Sequence, residues 1–264
     1  MNERVAVITG AARGIGAETA RSLATAGWRM VLVDRCEDDA ALSYSLARRD
    51  DLDGVVAECG GPDRAVGHVA DVRDQSQLED AVDTAMRRFG RLDAAVAAAG
   101  AVAGGQPAWE TDDLAWQAMI GVNLEGVWRL ARAAVPALLA AAPPREGRFV
   151  AVSSMAGIIG LPRLSAYVAA KHAVHGLIRS LAAELGPLGV TANVVAPGST
   201  ATAMLDASAA IYGLPDVTGL LGDHLLGRPL AAHEVAALVG WLCSEASSGV
   251  TGAILPVDAG ATSK

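Results

Sequence analysis

Short runs of β-branched and small apolar residues alternate along the chain with longer stretches whose apolar positions recur every three or four residues. The short runs predict strands opening at Val5 and spanning 28–33, 65–69, 92–98, 147–152, 189–196 and 254–257. The periodic stretches predict helices over 17–26, near 50–58, and over 75–89, 113–142, 165–185 and 231–243. Seven strands with intervening helices predict an α/β chain, a three-layer, doubly wound fold on a seven-stranded parallel sheet. No break is long enough to mark a second domain, so 1–264 reads as a single unit.

Two segments depart from this alternation. The polar stretch 35–53 reads as an insert before the second helix, either a solvated surface loop or a cover folded over a ligand beside Asp34. The stretch 203–227 is apolar yet rich in Gly, Pro and Asp, which predicts a mobile flap and not a regular core element. Within 113–142, Pro136 predicts a bend or a second segment, and Pro143-Pro144 closes it.

Candidate chemistry gathers where predicted strands end. After the first strand come Gly10, Gly14 and Gly16, with Arg13 and Ile15 between them. Glycines let a backbone approach a ligand closely, and a helix N-terminus behind them suits a pyrophosphate. Asp34 closes the next strand, where an acid is placed to accept from an adenosine ribose. Asp71, followed by Val72, either contacts the adenine end or caps the next helix. Ala99 and Gly100 are small enough for a cofactor to lie against the fourth strand. Asn123 falls inside a helix, facing solvent or anchoring a kink and a water. Ser153 and Ser154 end the fifth strand, and Pro197, Gly198, Thr200 and Thr202 leave the sixth. Tyr167 and Lys171 stand one helical turn apart. They form either a surface pair or an acid/base in which the ammonium favours the phenolate.

Composition narrows the classes. Of 264 residues 52% are hydrophobic but only 4% aromatic, so small side chains do much of the helix–sheet packing. A formal charge of −8 argues against a nucleic-acid-binding face. The three cysteines form no C-x-x-C and no even framework, which suits a reducing cytoplasm. No metal site, signal peptide or membrane-spanning run is predicted.

Taken together, Thr9-Gly10-x3-Gly14-x-Gly16, Asp71-Val72, Asn123, Ser154, Tyr167-x3-Lys171 and Pro197-Gly198 resemble the motifs of the short-chain dehydrogenase/reductase superfamily, in its order and spacing. The resemblance runs on to 248–252 and 257–260, and it implies a Rossmann fold binding NAD or NADP. It makes Tyr167 the acid/base, Ser154 the group that polarises the substrate oxygen, Lys171 the residue that tunes Tyr167 and holds the ribose, and Asn123 the anchor of a proton-relay water. Ala97-Ala98-Ala99-Gly100 departs from the family's usual Asn-Asn-Ala-Gly, which removes sheet-stabilising bonds but not the chemistry. The insert 44–52 is similar to one in the mycofactocin-associated, carveol dehydrogenase-like branch, although 35–39 lacks that branch's apolar start. That likeness implies a buried NAD that does not exchange freely and passes reducing equivalents to a separate peptide-derived redox carrier.

NAD is expected over NADP, because Asp34 repels a 2′-phosphate, although Arg13 and Arg35 pull the other way. The expected substrate is a mostly apolar secondary alcohol or its ketone, in a pocket of Met155, Leu161, Met204, Leu205, Ile211, Tyr212 and Leu214. Surplus apolar surface on the 113–142 and 165–185 helices, with the family likeness, implies a homotetramer. The segment 39–52 is expected to lie across the adenosine side of the dinucleotide, with Tyr44 and Leu46 packing and Arg48 and Arg49 pairing phosphates or acids. The competing readings are an ordinary dissociable-NAD(P) ketoreductase, such as a 3-oxoacyl or steroid reductase, and a non-catalytic dinucleotide-sensing or scaffold protein.

Overall fold

In the computed structural model, which describes residues 3–142 and 145–263, every predicted strand forms. They are β1 (Val5–Thr9), β2 (Arg29–Asp34), β3 (Ala65–Val69), β4 (Ala94–Ala97), β5 (Arg148–Val152), β6 (Thr191–Pro197) and β7 (Ile254–Val257). All neighbours pair parallel, in the order β3-β2-β1-β4-β5-β6-β7. Strand alternation sorts the side chains into two cores. Val5, Val7, Val31, Val33, Phe149 and Ala151 face α3 (Gln75–Phe89), α5 (Gly126–Leu139) and α6 (Ser165–Leu185). Ala6, Ile8, Met30, Leu32, Val150 and Val152 face α1 (Gly14–Thr25), α2 (Arg49–Glu58) and α8 (Ala232–Cys243). Phe149, Ile8, Leu32, Leu130, Ile178 and Leu242 are fully buried in these two layers and contribute about 1.5–3 kcal/mol each.

The register aligns Thr9 with Val33 and with Ala97, so the carboxyl ends of β1, β2 and β4 are level. Chain order reverses between β1 and β4. In an open parallel sheet that reversal leaves a crevice beyond the strand ends, which is where ligands bind.

The structure corrects two expectations. The 113–142 stretch is not one helix bent at Pro136. It is α4 (Asp113–Ile120), a π-helical turn at Gly121–Glu125, and then α5. Pro136 sits inside α5 on its exposed face, as does Arg132, whose carbonyl the proline cannot use. The break comes instead at Asn123, whose amide donates to the Met119 carbonyl at 3.0 Å in competition with the helical ladder. Pro143-Pro144 lies outside the described residues. The flap is also more regular than expected, opening with the helix α7 (Ala203–Ile211), which buries Leu205, Ala207 and Ala209.

Candidate active site

The glycine turn is pressed against the end of β4. Gly10 has φ +67°, and a Cβ there would stand 2.6 Å from the Ala99 Cα. A Cβ on Gly16 would stand 2.0 Å from the Gly10 carbonyl oxygen. Only glycine fits either place, and the result is a cleft floor of backbone. No side chain caps α1, so its first-turn amides and the positive end of its dipole face the cleft. The cavity there is about 390 Å³ and is lined by Gly10, Arg13, Gly14, Ile15 and Gly16, by Asp34, Asp71 and Val72, and by Ala99, Gly100 and Thr202.

Asp34 ties this cleft to the insert. Its carboxylate accepts from the Ala12 amide at 3.0 Å and from the Cys36 amide at 3.3 Å. The chain then turns at Cys36 with φ +57°, a left-handed conformation that costs a non-glycine residue about 1 kcal/mol. Beyond it the insert is held by charge. Asp39 accepts from Arg35 at 2.5 Å and pairs with Arg73 at 2.9 Å. Arg73 in turn donates to Asp71 at 2.6 Å. Burial pushes the Asp71 carboxyl up, but the bonds from Arg73 outweigh it and hold the group below its ordinary value. Asp71 is therefore not the cap of α3. That is Asp74, which accepts from the Ser76 and Gln77 amides.

The arginines that had phosphates open to them are taken by this chain's own groups. Arg13 donates to the Ser45 carbonyl at 2.9 Å, Arg48 pairs with Asp38, and Arg49 pairs with Asp53. Leu42, Leu46 and Ala47 of the insert line the same cavity as the glycine turn.

A second cavity, about 680 Å³, opens beside the first and shares Ile15, Ala98, Gly100, Thr202 and Met204 with it. Ser154, Tyr167 and Lys171 line it, as do Pro197, Gly198 and Thr200. Lys171 Nζ lies 5.6 Å from the Tyr167 ring centre and donates to the Val152 carbonyl at 3.2 Å. Burial pushes the Lys171 ammonium down to about 8. Burial pushes the Tyr167 phenol up to about 12, against a hydrogen bond with Ser154 that draws it down. Asn123 is fully buried in the π turn, where Oδ1 accepts from the Ala101 amide at 3.2 Å and Nδ2 donates to the Ala101 carbonyl at 3.0 Å. A Cβ on Gly100 would stand 3.2 Å from Asn123 Oδ1 and 3.6 Å from Lys171 Nζ. The glycine thus keeps open the space where these two side chains converge.

All three tyrosines of the chain have phenols held above their ordinary value, with burial the largest cause in each. An alkaline ultraviolet titration of the NAD-free protein is expected to show no tyrosinate step at the ordinary phenol pKa of about 10. A normal step there would contradict the buried setting.

Ser153 and His175, the second of which sequence reasoning missed, brace this site. Ser153 Oγ donates to the Lys171 carbonyl at 3.2 Å and lies 3.0 Å from His175 Nε2. Burial pushes His175 down to about 4, so the ring is neutral at physiological pH and serves as a polar prop. A Cβ on Gly157 would stand 2.5 Å from His175 Nε2, which reserves that position for glycine. The signal was present in the sequence: His175 is one helical turn beyond Lys171, on the Tyr167 face of α6.

Of the residues proposed for a substrate pocket, Met155, Leu161, Met204, Leu205, Tyr212 and Leu214 line the second cavity. Ile211 does not. It turns from that cavity toward Gly105, whose Cβ would meet it at about 4.0 Å. Pattern reasoning also missed Val102 and two charged residues, Arg163 and Asp223, which line the cavity from other loops. The flap is tied down by the Ser199 amide, which donates to His224 Nε2 at 3.1 Å.

A doubly wound parallel sheet with a backbone-floored cleft at its reversal point, opening onto a Ser-Tyr-Lys set, defines an oxidoreductase of the short-chain dehydrogenase/reductase family, and the chain belongs to that family. Residues 10–262 match a family model of these enzymes described as enoyl-(acyl carrier protein) reductase. The chain is 38% identical over 274 residues to the (-)-trans-carveol dehydrogenase of Rhodococcus erythropolis, covering 99% of this chain and 98% of the relative. It is 36% identical over 268 residues to an NAD-dependent oxidoreductase of Mycobacterium tuberculosis, covering 99% and 96%. The crystal structure of carveol dehydrogenase from Mycobacterium avium in complex with NAD superposes with a TM-score of 0.91 at 36% identity, covering 99% of this chain and 98% of that one.

Proposed function

We propose that this protein is an NAD-dependent dehydrogenase that interconverts a mostly apolar secondary alcohol and its ketone. The observation that carries the reading is the meeting of two cavities at Ile15, Ala98, Gly100, Thr202 and Met204, one fitted to a dinucleotide and one lined mainly by apolar side chains together with Tyr167 and Lys171. The first cavity fits NAD because its floor is bare backbone, an uncapped helix end faces it, and Asp34 stands on its wall. Gly10, Gly14 and Gly16 hold the pyrophosphate, Asp34 accepts from the adenosine ribose, and Lys171 holds the nicotinamide ribose. When bound, NAD supplies a hydride acceptor beside the alcohol carbon.

Ser154 donates to the substrate oxygen and orients it. Tyr167 Oη takes the hydroxyl proton in the oxidative direction and returns it in the reductive one. A phenol raised to about 12 is a poor base, so the positive charge of Lys171 is needed to favour its phenolate. Asn123 anchors a water beside Lys171, and that water carries the proton onward. Comparing kcat/KM for alicyclic and terpene-like alcohols with that for charged hydroxy acids tests the substrate class. Preference for the apolar set is expected, and a strong preference for the charged set overturns the assignment.

The insert supports a second element of the proposal, a retained NAD. Leu42, Leu46 and Ala47 cover the cleft, and four ionic contacts from Asp38, Asp39 and Arg35 must open before a dinucleotide leaves. Reoxidation then falls to a peptide-derived redox carrier of the mycofactocin type. Protein purified without added cofactor is expected to release near-stoichiometric NAD on denaturation. Empty protein that exchanges free NAD at each turnover returns it to the ordinary ketoreductases.

The working form is a homotetramer in a reducing cytoplasm. Trp109, Leu114, Trp116 and Trp128 expose apolar surface around α4 and α5, and all three cysteines are free thiols. No helix among the described residues is long and apolar enough to cross a membrane. Light scattering at micromolar concentration is expected to give four times the 26.8 kDa chain mass, and a monomeric mass contradicts it.

A further inference from the structure

Tyr44 belongs to the insert, yet its side chain does not line the dinucleotide cleft. Its ring packs on a cluster that includes Met119, Leu164, Tyr167 and Ala207, on the substrate side of the molecule. Its hydroxyl accepts a hydrogen bond from the Val102 amide at 3.1 Å. Val102 is part of the wall of the substrate cavity.

The backbone around Val102 depends on side chains. β4 has ended at Ala97, and this segment runs on without a ladder partner. Ala101 is gripped on both sides by Asn123 through the amide and the carbonyl. Val102 is held by Tyr44. Ala103 donates to Met119 Sδ at 3.2 Å. Three consecutive amides are thus held by the π turn, the insert and α4 respectively. A buried amide without a partner is costly, so each of these bonds fixes where the segment lies.

We propose that Tyr44 is a positioning residue that clamps the segment after β4, so that the insert which covers the cofactor also sets the substrate wall and the seat of Asn123. Folding of the insert over the dinucleotide and assembly of the substrate pocket become one event, with the cofactor in place before the substrate. The inference rests on the reading of the insert as a cofactor cover, and it extends that cover to the substrate side. Tyr44 touches no reacting atom. It acts through Val102 and Ala101.

Tyr44→Phe tests this, because it keeps the ring and removes only the acceptor. Three readouts are taken on the full-length protein: hydrogen exchange of the 100–103 amides, the rate of NADH release followed by its fluorescence, and the kcat and KM for the alcohol substrate. The expected result is faster exchange confined to 100–103, a KM raised about fivefold to tenfold, and faster NADH release, the scale set by one buried hydrogen bond. Exchange across the sheet strands is expected to stay as in the parent protein, which separates a local clamp from a general loss of stability. Faster NADH release with the Val102 exchange and the KM unchanged overturns the proposal and leaves Tyr44 as part of the cover alone. No change in any readout also overturns it. If the parent protein proves to exchange NAD freely, the cover reading fails. The Val102 exchange and the KM then decide the clamp on their own.

Discussion

Tyr167→Phe is expected to lower kcat by roughly a thousandfold while leaving NAD affinity within about threefold. The substitution removes one oxygen from a ring that stays packed among Leu164, Ala166 and Ala156, so the fold and the cofactor cleft have no reason to change. What is lost is the only phenol in the substrate cavity besides Tyr212, whose hydroxyl is already committed to the Pro162 carbonyl at 2.7 Å. Lys171 offers no substitute, since a charged ammonium has no acceptor for a proton. Single-turnover kinetics with saturating NAD, alongside calorimetric titration of NAD, gives both quantities. A variant that binds NAD and retains near-full turnover would falsify the acid/base assignment.

Asp34→Ala is the second large effect, an expected loss of about a hundredfold in NAD affinity. Hydrogen bonds to a charged group contribute about 1.5–3 kcal/mol each, and every 1.4 kcal/mol is tenfold. In the proposed cofactor site Asp34 is the ribose acceptor, and it also accepts from Ala12 and Cys36, so the variant is expected to lose the ligand contact and loosen the glycine turn together. No gain of NADP binding is expected. Arg35 is engaged by Asp39 and Asp71, and Arg13 by the Ser45 carbonyl, so neither is free for a 2′-phosphate. Dissociation constants for NAD and NADP measured on both proteins check this. An unchanged NAD value, or tighter NADP binding, sinks the argument.

The strands and most helices were legible in the sequence because local pattern and tertiary fate agree there. The 165–185, 75–89 and 254–257 boundaries match the structure, and for α3 the cap Asp74 and the left-handed Gly90 mark both ends. Where a helix is interrupted by its own side chain, apolar spacing carries no trace of it, and the kink offered as one alternative at Asn123 rested on the residue type alone. Ile211 was misplaced because a nine-residue helix alternates faces every residue or two, and pattern alone does not say which face meets the cavity. The contacts of the insert were illegible for a different reason. Its path depends on ion pairs among Arg35, Asp39, Asp71 and Arg73, partners brought together by β2 and β3 and not by spacing.

The π turn at Gly121–Glu125 has a consequence for how this chain tolerates insertion and deletion. An i→i+5 turn holds one residue more than an α-helical turn, and one residue is roughly 100° of rotation about the axis. Removing any one residue between 121 and 125 would let α4 and α5 heal into a single helix, with as many backbone bonds over one residue fewer. The wide turn had already absorbed that rotation, so α5 keeps Val127, Leu130 and Ala134 on the sheet, and the loss falls on the turn itself, where Asn123 holds the Ala101 amide and carbonyl. Length in this turn is therefore held by the seat of an amide, and not by the packing of the helices on either side. A library of single-residue deletions should tolerate losses in the 217–220 flap turn far better than here, although both sites are helical turns of a few residues.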